Sequence, residues 1–215
     1  MNPSNKTVTS MLRVYGRASS INVRKVLWTC DELCIAFERE DWGAGFRSTR
    51  EAEFLALNPK ALIPVVIDGN TVLTESNAIC RFIASKHGSE LLPADPARRA
   101  EVEAWMDWMI SDLNMAWRYA VQALVRKRPG YDNPVEVQKS VDEWNGLMRD
   151  LDAQLAIRPD YLCDAFTLAD VPVGLAIHRW LNTPIARIDL PNVMRYYNLL
   201  QTRPAFARYA NDAFN

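Results

Sequence analysis

Two short stretches of this 215-residue chain place small hydroxyl side chains where a helix begins. In "GRASSINVRKVL", residues 16–27, Ser19 and Ser20 stand between a strand-like run and a helical pattern, with Asn22 two positions on. In "TVLTESNAICRF", residues 71–82, Glu75 and Ser76 stand between a second strand-like run and a second helical pattern. The first turn of a helix carries N–H groups without intrahelical acceptors and the positive end of the peptide dipole. A serine there either caps the turn or shares it with an incoming anion, to which its hydroxyl also donates. Serine is no base at neutral pH, so hydrogen-bond donation is the chemistry it offers.

The elements that must position these residues are legible in the hydrophobic pattern. "MLRVYG" (11–16) alternates like a short strand, and residues 22–33 follow as a helix with Val23, Val26, Leu27 and Leu33 apolar. "IAFEREDW" alternates again, and "TREAEFLALNP" reads as a short helix stopped by Asn58-Pro59. "IPVVIDGNTVLT" reads as two strands joined by a turn at Asp68-Gly69-Asn70, and the helix after Glu75 stops at Gly88. The order is β-α-β-α-β-β-α over residues 11–88, after a polar tail at 1–10.

Past a polar, proline-bearing linker at 89–96 the strand signals disappear. Residues 98–128 read as one long helix stopped by Pro129-Gly130. The next opens at Asn133-Pro134, with Glu136 at capping-box spacing and Val137, Val141, Trp144, Met148, Leu151 and Leu155 stepping by four and three. In "FTLADVPVGLAIHRWL" Thr167 and Asp170 repeat the capping-box spacing, Phe166 and Val171 are placed as a hydrophobic staple, and Pro172 falls early in the helix and should cost it one backbone hydrogen bond. Shorter helices close the chain. The fold class is therefore α/β followed by all-α, with a helical part spanning 97–215.

Composition narrows the function classes. With 25 basic and 26 acidic residues the net charge is -1, which gives no general attraction to nucleic acid or anionic membrane. No apolar run approaches the ~20 residues of a membrane span, and the opening "MNPSNKTVTS" lacks the apolar core of a signal peptide, so a cytoplasmic location is expected. The four cysteines, Cys30, Cys34, Cys80 and Cys163, form no metal-ligand spacing with the two histidines and read as buried free thiols; no metal is expected.

"SSINVRKV", "NPKALIPVVIDGNTVLTESNAICRFI" and "FTLADVPVG", in that order and spacing, resemble the cytosolic glutathione transferase family over nearly the whole chain. The first segment is most similar to the bacterial, serine-type (nu-like or theta-like) pattern. The resemblance implies a thioredoxin-like domain at 11–88 that binds glutathione, an all-helical domain, a small hydrophobic electrophile lodged between them, and a homodimer. It implies a cis bond before Pro64, with the backbone of Ile63 pairing the cysteinyl part of glutathione as an added strand would. Ser76 and the helix start then receive the γ-glutamyl carboxylate, and Glu75 receives the γ-glutamyl ammonium.

The same resemblance singles out Ser20 as donor to the thiolate, four residues before Arg24, and Asn22 as a second polar contact. Ser19 and Tyr15 stand as rival donors. No cysteine occupies this loop, which argues against mixed-disulfide chemistry. The basic residue that family members often carry two before the proline is here Leu62, so the glycine carboxylate falls to Lys60, or to Arg47 or Arg50. "WMDWMISDLNMAWRYA" (105–120) is the expected wall of the electrophile pocket, with Met115, Arg118 and Tyr119 as candidates, although a Trp and Met stripe is more often core or dimer contact. Reduction of peroxides or disulfides by the same thiolate, or a non-catalytic binding or regulatory role, are the alternatives on this fold.

Overall fold

The computed structural model describes residues 11–88 and 90–210; the expected tail at 1–10, Ser89 of the linker and the last five residues lie outside the described residues. Strand β1 (Leu12–Tyr15) leads into helix α1 (Ile21–Glu32), β2 (Phe37–Glu40), α2 (Ala52–Leu57), β3 (Val65–Asp68), β4 (Thr71–Thr74) and α3 (Ser76–Lys86). The sheet order is β2-β1-β3-β4, with β1 parallel to β2 and antiparallel to β3, and β3 antiparallel to β4. The β3–β4 register pairs Asp68 with Thr71, so the hairpin turn is the two residues Gly69-Asn70.

Side-chain alternation splits the sheet into two faces. Val14 and Val66 point into the main core with residues of α1 and α3, whereas Tyr15 and Val65 join Trp42 and Phe54 of α2 in a second, small cluster. The main core continues without a break into the helical part. Trp28 of α1 lies 4.7 Å from Phe206 and 5.7 Å from Phe166, ring centroid to centroid. A Cβ on Gly174 would come within 2.6 Å of Leu200 Cδ1 and 3.2 Å of Trp28, so close packing here requires glycine.

The long helix differs from its sequence pattern. It runs as α4 (Pro96–Trp108), a wide π turn at Met109–Leu113, the short α5 (Asn114–Ala116) and α6 (Arg118–Ala120), and a second wide turn at Val121–Val125. Hydrophobic periodicity does not report such insertions. The break around Trp117 has an identifiable cause on a neighbouring helix, α7 (Pro134–Ile157). The Ser140 hydroxyl donates to the Ala116 carbonyl and accepts from the Ala120 N–H (3.1 Å), replacing the direct helical bond between those two residues. At its start α7 is capped by Asn133, which accepts from the Val135 N–H at 2.9 Å.

The helix α8 (Asp170–Asn182) starts on the box that the sequence signals. Thr167 N–H donates to Asp170 Oδ2 (2.7 Å), and Ala169 N–H donates to the Thr167 hydroxyl (3.3 Å). Asp170 is fully buried and also accepts from Leu162 N–H (3.1 Å) and the Tyr196 hydroxyl (2.7 Å). Burial pushes its carboxyl up to about 6 against these stabilising bonds. Helices α9 (Pro191–Gln201) and α10 (Pro204–Tyr209) complete the chain. α10 is bolted to α1: Arg203 pairs with Glu32 (2.6 Å), and the Tyr209 hydroxyl donates to Asp31 (2.8 Å).

One expectation is corrected. Cys30, Cys80 and Cys163 are buried free thiols, but Cys34 is exposed. Helix α1 ends at Glu32, and Cys34 turns out of the helical path with φ +53, so it shares no buried face with Cys30.

Candidate active site

Ser20 is the N-cap residue of α1, with extended backbone (φ -78, ψ 126), and its carbonyl accepts the first helical bond from Arg24 N–H at 2.9 Å. Its side chain makes no capping bond, so the half-buried hydroxyl is not committed to the helix. Ser19 differs: its hydroxyl accepts from Arg17 Nη1 at 2.6 Å. Tyr15 is buried against Trp42 in the small cluster on the far face of the sheet, and burial raises its phenol above the ordinary value. The loop is held from behind by Arg24, whose Nε donates to the Ala18 carbonyl (2.7 Å) and whose Nη1 donates to the Tyr209 carbonyl (2.6 Å).

The start of α3 lies beside this loop. The Ser76 hydroxyl donates to Asn22 Oδ1 at 3.3 Å, joining the first turns of α1 and α3. Ser76 is buried and Asn22 exposed. Glu75 precedes the helix in a left-handed conformation, φ +66 and ψ 109, which costs about 1–3 kcal/mol for a residue with a Cβ and concentrates at functional sites. Its exposed carboxylate pairs with Lys60 Nζ at 3.0 Å.

The third side of the site is the loop before β3. Ile63–Pro64 is cis, and among the described residues neither the N–H nor the C=O of Ile63 takes a backbone partner. Asn58 shapes the approach: its amide donates to the Leu62 carbonyl (2.8 Å), and its oxygen accepts from Lys60 N–H (3.1 Å). Gly16, at φ +148, lets this loop press on α1. A Cβ there would meet Val23 Cγ2 at 2.6 Å and Ile63 Cβ at 3.1 Å.

The structure thus brings Ser20, Asn22, Ile63, Pro64, Glu75, Ser76 and Lys60 to one side of the sheet unit. Other sequence candidates fall elsewhere. Arg47 is occupied by Glu40 (3.0 Å), Glu51 (3.0 Å) and Glu53 (2.6 Å), and stacks on Trp42 at 3.9 Å. Arg50 is exposed on the same loop. Met115 is 62 % exposed and Arg118 is exposed. Tyr119 packs on Tyr131 at 5.0 Å and accepts from Asn133 N–H at 3.4 Å, at the entrance to α7. Among the described residues, none of these three makes a hydrogen bond or ring contact with the Ser20 loop.

A buried lysine on α1, Lys25, is not singled out by the sequence motifs. Its Nζ donates to Asn77 Oδ1 at 3.3 Å, and Asn77 Nδ2 donates to the Met106 carbonyl of α4 at 3.0 Å. The signal was present as a polar stripe, Asn22, Lys25 and Thr29, at helical spacing on α1. Among the described residues no group of three or more His, Cys, Asp or Glu is placed to hold a metal, and no helix is long and apolar enough to cross a membrane.

A mixed four-stranded sheet with a cis-proline loop, two helix starts converging on it and an appended helical part define a thioredoxin-like fold of the glutathione-transferase type. Residues 10–85 match the model of the glutathione S-transferase N-terminal domain. The chain is 37 % identical over 198 residues to glutathione S-transferase GstB of Escherichia coli K12, covering 91 % of this chain and 95 % of that one. It is 34 % identical over 209 residues to glutathione S-transferase 3 of Zea mays, with 92 % of each chain covered. The theta class enzyme of Xanthomonas axonopodis pv. citri, solved with glutathione bound, superposes with a TM-score of 0.88 at 33 % identity, over 95 % of this chain and 99 % of that one. The chain belongs to the glutathione S-transferase family, and its activity class is glutathione transfer.

Proposed function

We propose that the site activates the thiol of glutathione as a thiolate and adds it to small hydrophobic electrophiles. A free cysteine thiol has a pKa of about 8.5, so only a few per cent is ionised at neutral pH. The uncapped start of α1 and the Ser20 hydroxyl stabilise the sulfur anion, and the thiol proton leaves to solvent. Sulfur then forms a bond to the electrophilic carbon as the leaving group departs with its electron pair. The observation that carries this reading is that the Ser20 hydroxyl makes no capping bond at the start of the helix whose Asn22 meets Ser76 at 3.3 Å.

In this assignment residues 11–88 hold glutathione and the helical part from residue 97 borders the electrophile. Ile63 pairs the cysteinyl backbone, Ser76 and the start of α3 receive the γ-glutamyl carboxylate, and Glu75 receives the γ-glutamyl ammonium. Glu75 then releases Lys60, the basic side chain left to reach the glycine carboxylate. The glutathione bound in the Xanthomonas relative supports glutathione as co-substrate.

A homodimer, a cytoplasmic location and a role in detoxification complete the reading. Support for a second copy is a groove of about 360 Å³ between α4 and α7, lined by Trp105, Trp108 and Leu151. Conjugation of a chromogenic aryl halide by the wild type and by Ser20→Ala tests the function. Turnover that collapses in the variant is expected, and glutathione binding without turnover of any electrophile favours a binding protein instead.

A further inference from the structure

Beneath the junction of Asn22 and Ser76 lies a buried cation. Lys25 is 1 % exposed, and its ammonium meets one side-chain acceptor, Asn77 Oδ1 at 3.3 Å. Among the described residues no carboxylate pairs with it. A buried charge without a counter-ion is costly, and an amide oxygen returns only part of that cost. Burial accordingly lowers the Lys25 pKa to about 8.

The surrounding elements do not supply the missing negative charge. From α3 the facing group is Cys80, whose thiol burial pushes up to about 11, so it is neutral at pH 7. From α8 the facing group is Arg179, a second cation, which lowers the Lys25 pKa further. α4 presents the Met106 carbonyl, already bonded to Asn77. On α1 itself the neighbouring Arg24 is bonded to two carbonyls.

The position of Lys25 supplies what its surroundings lack. It follows Asn22 by three residues, about 4.5 Å along the helix axis, on the stripe that faces α3. Its acceptor Asn77 directly follows Ser76, so the ammonium lies just under the place where two helix starts and a hydroxyl meet. We infer that Lys25 is the buried counter-charge for the anion received at this junction, acting through space without touching it. The inference rests on the proposed function, in which that anion is the γ-glutamyl carboxylate of glutathione.

Linkage gives this arrangement a signature. An anion that favours the ammonium raises its proton affinity, so binding near and above pH 8 takes up a proton from solvent, and binding weakens as pH rises.

The test is calorimetric titration of the full chain with S-methylglutathione, which has no ionisable thiol, at pH 7, 8.5 and 9.5 in buffers of different protonation enthalpy. Wild type is compared with Lys25→Met and, as a second variant, Lys25→Gln. At pH 7 the variants are expected to bind roughly ten-fold more weakly, the order of effect of one through-space charge pair at an effective dielectric near 20. That deficit shrinks at pH 9.5. At pH 8.5 the wild type takes up more protons than either variant, a difference that removes the contribution of the ligand's own amino group. Folded variants with wild-type affinity at pH 7 and equal proton uptake overturn the inference, as does a wild type that takes up no proton at pH 8.5. A wild type that does not bind S-methylglutathione at all overturns the glutathione reading itself.

Discussion

The Ser76 hydroxyl lies 3.3 Å from Asn22 Oδ1, so the first turns of α1 and α3 are tied to each other at the point where both expose unpaired N–H groups. Neither residue is near the other in sequence; the β-α-β crossover and the terminal hairpin bring them together across the face of one small sheet. This junction makes two helix dipoles act on one place rather than two.

Removing either half of the junction should show as weaker glutathione binding. Asn22→Ala and Ser76→Ala are each expected to raise KM for glutathione roughly ten-fold, the effect of one hydrogen bond to a charged group. The double variant should lose less than the product of the two, because the residues share a bond. A steady-state double-mutant cycle measures this, and strict additivity would count against the junction acting as a unit.

Lys60 and Glu75 pair at 3.0 Å with both side chains about two-thirds exposed, so the ion pair itself contributes little to stability. Glu75→Gln should raise KM for glutathione without changing the urea midpoint. Lys60→Ala should raise it too, by a few-fold, if the freed ammonium holds the glycine carboxylate. A fall in KM for Lys60→Ala would instead show that Lys60 only competes for Glu75.

Asp170 predicts a pH-dependent stability term. Its folded pKa of about 6 stands above the ordinary 3.8, so the folded state holds the proton more tightly. The term therefore favours folding below about pH 4 and is lost as pH rises through 6, about 3 kcal/mol in total. Asp170→Ala leaves the N–H groups of Thr167 and Leu162 and the Tyr196 hydroxyl without their acceptor, costing about 3–5 kcal/mol. Urea unfolding of both proteins at pH 7 and 5 should show that gap widening at the lower pH.

Much of this was legible in the sequence where local chemistry repeats a pattern. The alternation of "IPVVIDGNTVLT" announced the hairpin, and the spacing of Thr167 and Asp170 announced the box that starts α8. The residues around Ser20 and Ser76 stood out because hydroxyls at helix starts have few uses. What stayed hidden depended on contacts between distant segments. The interruption at Trp117 is made by Ser140 of another helix, and no periodicity in the interrupted helix reports it. Lys25 reads as one more basic residue until α3, α4 and α8 close over it. Arg47 looks available in the sequence and is held by three carboxylates in the fold. Cys34 belongs to an apolar helical pattern, yet the helix stops two residues before it.

The central claim is that the uncommitted Ser20 hydroxyl holds the sulfur of glutathione as thiolate. Ultraviolet titration of the thiolate in bound glutathione tests it most directly, in the wild type, Ser20→Ala, Ser19→Ala and Tyr15→Phe. A midpoint at least one pH unit below the free thiol's value of about 8.5 is expected in the wild type, Ser19→Ala and Tyr15→Phe, with a return toward 8.5 in Ser20→Ala. A midpoint unchanged in Ser20→Ala, with the loss appearing in Tyr15→Phe or Ser19→Ala, would contradict it.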